Sequence, residues 1–89
     1  MIIFMNYRKM NVDILVQHRP DGKVVPLRFK LEDGTVVKID RVLHSERAAS
    51  LKVGGCGMRY AVMIQGIERY IFEDDGVWYV EARVRRLND

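Results

Sequence analysis

The chain is expected to fold as an all-β protein, a six-stranded antiparallel meander curled into a small, SH3-like or partly open barrel. Four Gly-terminated turns, Asp21-Gly22, Asp33-Gly34, Gln65-Gly66 and Asp75-Gly76, divide it. The segments between them alternate apolar and polar residues with the two-residue period of a half-buried strand. All seven glycines fall in turn segments, Gly54, Gly55 and Gly57 included, so local and global patterns agree.

The first residues place Ile2-Ile3-Phe4-Met5 ahead of Tyr7-Arg8-Lys9, the reverse of the charge-first order of a signal peptide. An apolar run this short also cannot cross a bilayer. Residues 1–10 are read as a leader outside the fold argument: an over-extended start, a frayed terminus or an extra edge strand. A single β domain over 11–89 follows.

The strand Val12 to His18 sets Val12, Ile14, Val16 and His18 against Asp13, Leu15 and Gln17. It ends at Arg19-Pro20-Asp21-Gly22, where proline presets φ and glycine accepts a positive one. The next strand carries Val25, Leu27, Phe29 and Leu31 on its apolar side, and Pro26 removes a ladder donor, which points to an edge or a strand start. A three-residue loop, Glu32-Asp33-Gly34, opposes Phe29 to Val37 and Leu27 to Ile39, whereas a two-residue turn opposes Phe29 to Lys38. The longer loop is preferred, with Gly34 in the left-handed position of a bulge.

The alternation of Val37 and Ile39 changes phase at Asp40-Arg41 and resumes at Val42, which predicts one long strand with a bulge or sharp bend. A helix over Val42 to Lys52 competes, favoured by Ala48, Ala49 and Leu51 but with only a sparse apolar stripe. Around Gln65-Gly66, either Tyr60-Val62-Ile64 or Ala61-Met63 can face inward. At Asp74-Asp75-Gly76 a three-residue loop pairs Phe72 with Trp78 and gathers Tyr70, Phe72, Trp78, Val80, Ala82 and Val84 on one face. A two-residue turn opposes Glu73 to Trp78 instead. Burial of two aromatic side chains on one face favours the longer loop.

Hydrophobic residues at 48% and charged ones at 30% fit a globular domain. A net charge of +3 permits an anionic partner without concentrating basic charge. The single cysteine, Cys56, excludes an intramolecular disulfide and fits a reducing compartment, so a cytoplasmic location and no membrane partner are expected.

Cys56 lies in the Lys52-to-Gly57 loop, with His44 or His18 as a conceivable base, but no spacing brings them together, and a reactive thiol needs an oriented base. The Gly-Gly-Cys-Gly run lacks the Lys-Ser/Thr pair of a phosphate loop. His18, His44 and Cys56 lack short zinc-ligand spacing. The acids Glu32-Asp33 and Glu73-Asp74-Asp75 sit at hairpin tips, where turn chemistry accounts for them. No catalytic, cofactor-binding or metal-ligating residue is assigned, no cofactor is expected, and the protein is read as non-enzymatic.

The functional hint is the face opposite Trp78. In the expected register Arg69, Ile71, Tyr79, Arg83 and Arg85 project from it together, beside Glu81. Arginine and tyrosine anchor protein interfaces and also stack on unpaired bases. The plainer alternative is a solvated face with Arg69 opposite Glu81 as a cross-strand ion pair. The leading expectation is a module that binds an unidentified protein, or itself as a homodimer, through the Tyr79-centred face or an open sheet edge. The second is a nucleic-acid binder, with Arg59, Arg69, Arg83, Arg85 and Arg86 on phosphates and Tyr79 as a stacking surface.

Phe29 to Leu43, with Asp33-Gly34 followed by Ile39-Asp40-Arg41-Val42-Leu43, and Val77-Trp78-Tyr79-Val80-Glu81 together resemble small bacterial domains of unknown function, some encoded near translesion DNA polymerases. The resemblance covers about a third of the chain. It implies an accessory role in DNA repair and carries over no functional residue.

Overall fold

A computed structural model of the chain describes the backbone of residues 2–48 and 57–88, with side chains described over 6–48 and 57–84. In chain order the strands are β1 (Ile2–Asn11), β2 (Asp13–His18), β3 (Val24–Lys30), β4 (Val36–Lys38), β5 (Arg41–Arg47), β6 (Met58–Ile64), β7 (Ile67–Asp74) and β8 (Val77–Asn88). They form a five-stranded sheet, ordered β1-β8-β7-β6-β5, and a three-stranded sheet, ordered β2-β3-β4, both antiparallel.

The all-β, antiparallel architecture is the one the alternation predicts, but the described residues hold eight strands instead of six, and the two sheets do not close into a barrel. Residues 2–11 add β1 at an edge, paired along β8. The bend at Ile39-Asp40 is sharp enough to end one strand in the small sheet and start another in the large one. There the Ile39 N–H donates to Leu27 O at 3.0 Å and the Asp40 N–H to Met63 O at 2.8 Å, so neighbouring residues bond to different sheets. Val12 makes the other crossing, its N–H donating to Trp78 O at 3.0 Å. Val42 to Arg47 is strand, not helix, and 49–52 lie outside the described residues.

The turn at Asp33-Gly34 has the three-residue form: Phe29 faces Val37, the Leu31 N–H donates to Thr35 O, and Gly34 takes φ +90°. The turn at Asp21-Gly22 repeats these bonds between Arg19 and Lys23. In both, the aspartate carboxylate accepts the N–H two residues on, at 3.0 Å from Lys23 and 2.9 Å from Thr35. The turn at Asp75-Gly76 differs. Asp75 and Gly76 both have positive φ, 53° and 83°, and Glu73 opposes Trp78. This two-residue turn, whose twist matches that of the flanking strands, overturns the expected pairing of Phe72 with Trp78.

The core lies between the sheets. Phe29 and Ile39 meet Tyr60, Val62, Ile71 and Trp78, with Val12, Ile14 and Val16 of the β2 region packed alongside. Tyr60 and Trp78 have ring centroids 4.9 Å apart. Pro26 sits inside the central strand β3, not at an edge or start, and is fully buried. It is tolerated because β4 pairs only with Arg28 to Lys30, beyond its reach, and the β2 register shifts at this point. The shift also turns Leu27 outward, contrary to its expected inward position.

Candidate functional site

β8 serves two partners in succession. Its first residues close the hairpin with β7, through Asp74↔Val77, Glu73↔Trp78 and Phe72↔Tyr79. From Tyr79 onward it runs along β1. Because the ladder stops at Phe72, the stretch of β7 from Ile67 to Ile71 keeps β6 on one flank and, among the described residues, has no strand on the other. A groove of about 1110 Å³ opens there, walled by Tyr70 and Ile71 of β7, Val80 and Arg83 of β8, and Val36 and Lys38 of β4.

The turns that bound β7 fix which of its backbone groups face the gap. The turn at Gln65-Gly66 makes Ile64↔Ile67 a hydrogen-bonded pair, so Ile67, Arg69 and Ile71 bond to β6. Glu68 and Tyr70 therefore present their N–H and C=O groups to the open flank, in line with the Phe72↔Tyr79 pair. On β4, odd-numbered residues bond to β3, through Phe29↔Val37 and the Leu31 to Thr35 bond, and Val36 and Lys38 face outward.

The shared outward face expected of Arg69, Ile71, Tyr79, Arg83 and Arg85 is absent. Ile71 is 1% exposed and belongs to the core, whereas Tyr79 is 2% exposed on the opposite side of the sheet, stacked on Phe72 with centroids 5.1 Å apart. The one-residue slip at Asp75-Gly76 separates them. Arg69 lies opposite Val62, not Glu81, and Arg85 of β8 lies opposite Met5 of β1, with its side chain outside the described set. Arg69, Ile71 and Arg83 nonetheless come together as walls of the groove. The alternation missed Tyr70, Val36 and Lys38, which gain their place from the parting of β7 and β8.

Polar partners fix several side chains around the groove. The Asp40 carboxylate accepts the Gln65 N–H at 2.9 Å, tying the sheet-crossing bend to the β6–β7 turn. The Tyr70 hydroxyl donates to Glu68 at 3.4 Å, and the Arg59 guanidinium lies 4.9 Å from the Tyr70 ring centroid while paired with Glu46. That pairing holds the Glu46 carboxyl below its ordinary range and raises Arg59. Burial, and then the charge of Glu73, pushes the Tyr60 hydroxyl up.

His18 and His44 stand at the end of β2 and on β5, and Cys56 lies outside the described residues. Among the described residues no cluster of three or more His, Cys, Asp or Glu is arranged to hold a metal ion. No described helix is long and apolar enough to cross a membrane. No protein-family model, curated protein or solved structure matches the chain.

Proposed function

We propose that the protein is a non-enzymatic cytoplasmic binding module that acts through protein–protein contact at the groove between β7 and β8. The unpaired flank of β7 carries this reading. Small domains blunt exposed strand edges because an open row of N–H and C=O groups is a template for another chain. Here such a flank is left beside exposed apolar surface, with Tyr70 42% and Val36 59% exposed. The resemblance to domains encoded near translesion polymerases adds a DNA-repair component as one kind of partner. Nucleic acid ranks second, since Tyr79 at 2% exposure offers no stacking surface to a base and Arg59 is engaged by Glu46.

A photo-cross-linking side chain placed at Val36 or Tyr70, and separately at Leu15 as an exposed control, tests the proposal in living cells. Discrete protein adducts from the groove positions but not from the control are expected. Nucleic-acid adducts, or the same adducts from every position, would overturn it.

A further inference from the structure

We infer that the protein forms a two-fold dimer in which β1 pairs antiparallel with β1 of a second copy, the axis passing at Asn6. This surface is separate from the groove, and its occupant is the chain itself. The state of the sheet edges singles it out. β4 has three residues, and β2 and β5 each carry a register shift, between Leu15 and Val16 and between Val42 and His44. Short length and bulges keep an edge strand from templating another chain. β1, the remaining edge strand among the described residues, pairs with β8 through ten residues with no shift and no proline.

Beyond Tyr79 the large sheet narrows to β1 and β8, with no third strand beside them among the described residues. A two-stranded ribbon is only marginally stable in water, and a second copy on the outer flank of β1 makes it four strands, ordered β8-β1-β1-β8. The backbone is set for this. The Val12 N–H bonds to Trp78 O, so the even-numbered residues of β1 bond to β8 and the odd-numbered ones, Tyr7 and Lys9 among them, present N–H and C=O groups outward. The Lys9 carbonyl takes a contact of 3.5 Å from the Arg8 guanidinium, too long to compete with the N–H of a paired strand.

Outward-facing residues must meet outward-facing ones, so the axis falls on a residue and not between two. Axes at Asn6 and at Tyr7 overlap the strand most fully. The axis at Asn6 sets Met5 opposite Tyr7 of the second copy and Ile2 opposite Met10, each twice by symmetry, and brings the two Asn6 residues together, whose amides both donate and accept. The axis at Tyr7 sets Met5 opposite Lys9 and Asn6 opposite Arg8, and an axis at Arg8 or Lys9 sets like charges together. Within its own chain Arg8 is held by Glu32 at 2.7 Å, and Lys9 lies opposite Glu81 and 4.8 Å from the Tyr79 ring centroid. With both cations of the strand answered, the edge does not select an oppositely charged segment. An identical antiparallel strand supplies the self-complementary patch that a two-fold dimer requires.

Light scattering of the full chain is expected to show its mass double as concentration rises. Over the same range the Tyr7 and Lys9 amides gain protection from hydrogen exchange, while the Arg8 amide, bonded to β8, is protected throughout. Tyr7→Pro removes one outward donor from each copy and leaves β8 its bonds, so dimerisation is expected to weaken about tenfold. In a Cys56→Ser background, Asn6→Cys puts two cysteines in a non-hydrogen-bonded pair with Cα atoms about 4.5 Å apart, within disulfide range. Mild oxidation is expected to link this variant across the axis and to leave Leu15→Cys, exposed on β2, largely unlinked. Should Tyr7→Pro fail to fold, this linkage carries the test. A monomer at every concentration, a dimer undiminished in Tyr7→Pro, or equal linkage of the two cysteine variants overturns the inference. A dimer that protects the Glu68 and Tyr70 amides in place of Tyr7 and Lys9 assigns the contact to the groove and overturns it as well.

Discussion

Tyr79 sits between the Phe72 ring and the Lys9 ammonium, which lies 4.8 Å from the Tyr79 ring centroid. A carboxylate in its place loses the stacked ring and puts a charge in a site that water does not reach. Tyr79→Asp is therefore expected to cost about 3–5 kcal/mol, much of the roughly 5–15 kcal/mol that holds a domain folded. Urea unfolding followed by circular dichroism measures it, and a variant of native stability would show that the ring is not packed. Tyr70→Ala, at an exposed position, is expected to stay within about 1 kcal/mol of the wild type. Glycines separate in the same way. Gly57 has φ +106°, and a Cβ there would run into the Glu73 carbonyl oxygen, a backbone atom that cannot step aside, whereas at Gly76, φ +83°, a Cβ meets nothing within 4 Å. Gly76→Ala is expected to cost about 1 kcal/mol from backbone conformation alone, and Gly57→Ala at least about twice as much, both read from the same unfolding curves. The sequence marked both as turn glycines, and only the approach of the β7 backbone to Gly57 sets them apart.

The hairpins show what alternation can and cannot specify at the scale of the element. At Asp33-Gly34 one side of each strand is apolar and the other charged, so only a loop that matches Phe29 to Val37 satisfies the core, and the register was legible. At Asp75-Gly76 both sides are buried: Phe72 and Tyr79 are each 2% exposed on one face, Trp78 8% on the other. Either register then hides aromatic surface, the hydrophobic criterion loses its force, and turn geometry decides. Arg28 and Lys30 in the first case, against Tyr70-Ile71-Phe72 in the second, are the visible difference. The same ambiguity concealed the site, since a one-residue shift sends Ile71 into the core and Tyr79 to the opposite face. Glu73 and Trp78 form a non-hydrogen-bonded pair, whose Cα atoms approach to about 4.5 Å. A strong Hα–Hα Overhauser effect between these two residues is expected, and one between Phe72 and Trp78 would restore the three-residue loop.

Two sheets that share one chain through Val12 and Ile39-Asp40 are also fastened from outside. The molecule measures 54 × 25 × 21 Å, with a radius of gyration of 14.2 Å against about 12 Å for a compact chain of this length, so its elements meet over a limited area. At one margin Arg8 of β1 reaches the loop between β3 and β4 and makes a two-pronged bond to Glu32, 2.7 Å at Nη2 and 3.4 Å at Nη1. The bond, and the arginine charge with it, lowers the Glu32 carboxyl pKa, while the Thr35 N–H lowers Asp33 and the Arg59 pair lowers Glu46. Each group releases its proton more readily when folded than when unfolded, so across the acid range the unfolded chain binds more protons. The stability these groups contribute is present above the ordinary carboxylate range, about pH 4, and is lost as pH falls through their lowered folded values. Unfolding in urea at pH 6 and pH 3 is expected to show this loss, reduced in 1 M salt because all three groups are exposed. Glu32→Gln should flatten the pH dependence while leaving the part due to Asp33 and Glu46. Arg8→Ala should flatten it to the same extent, since either change removes the same link between the sheets. A pH dependence unchanged in both variants would mean that Arg8 and Glu32 do not hold the two sheets together in solution.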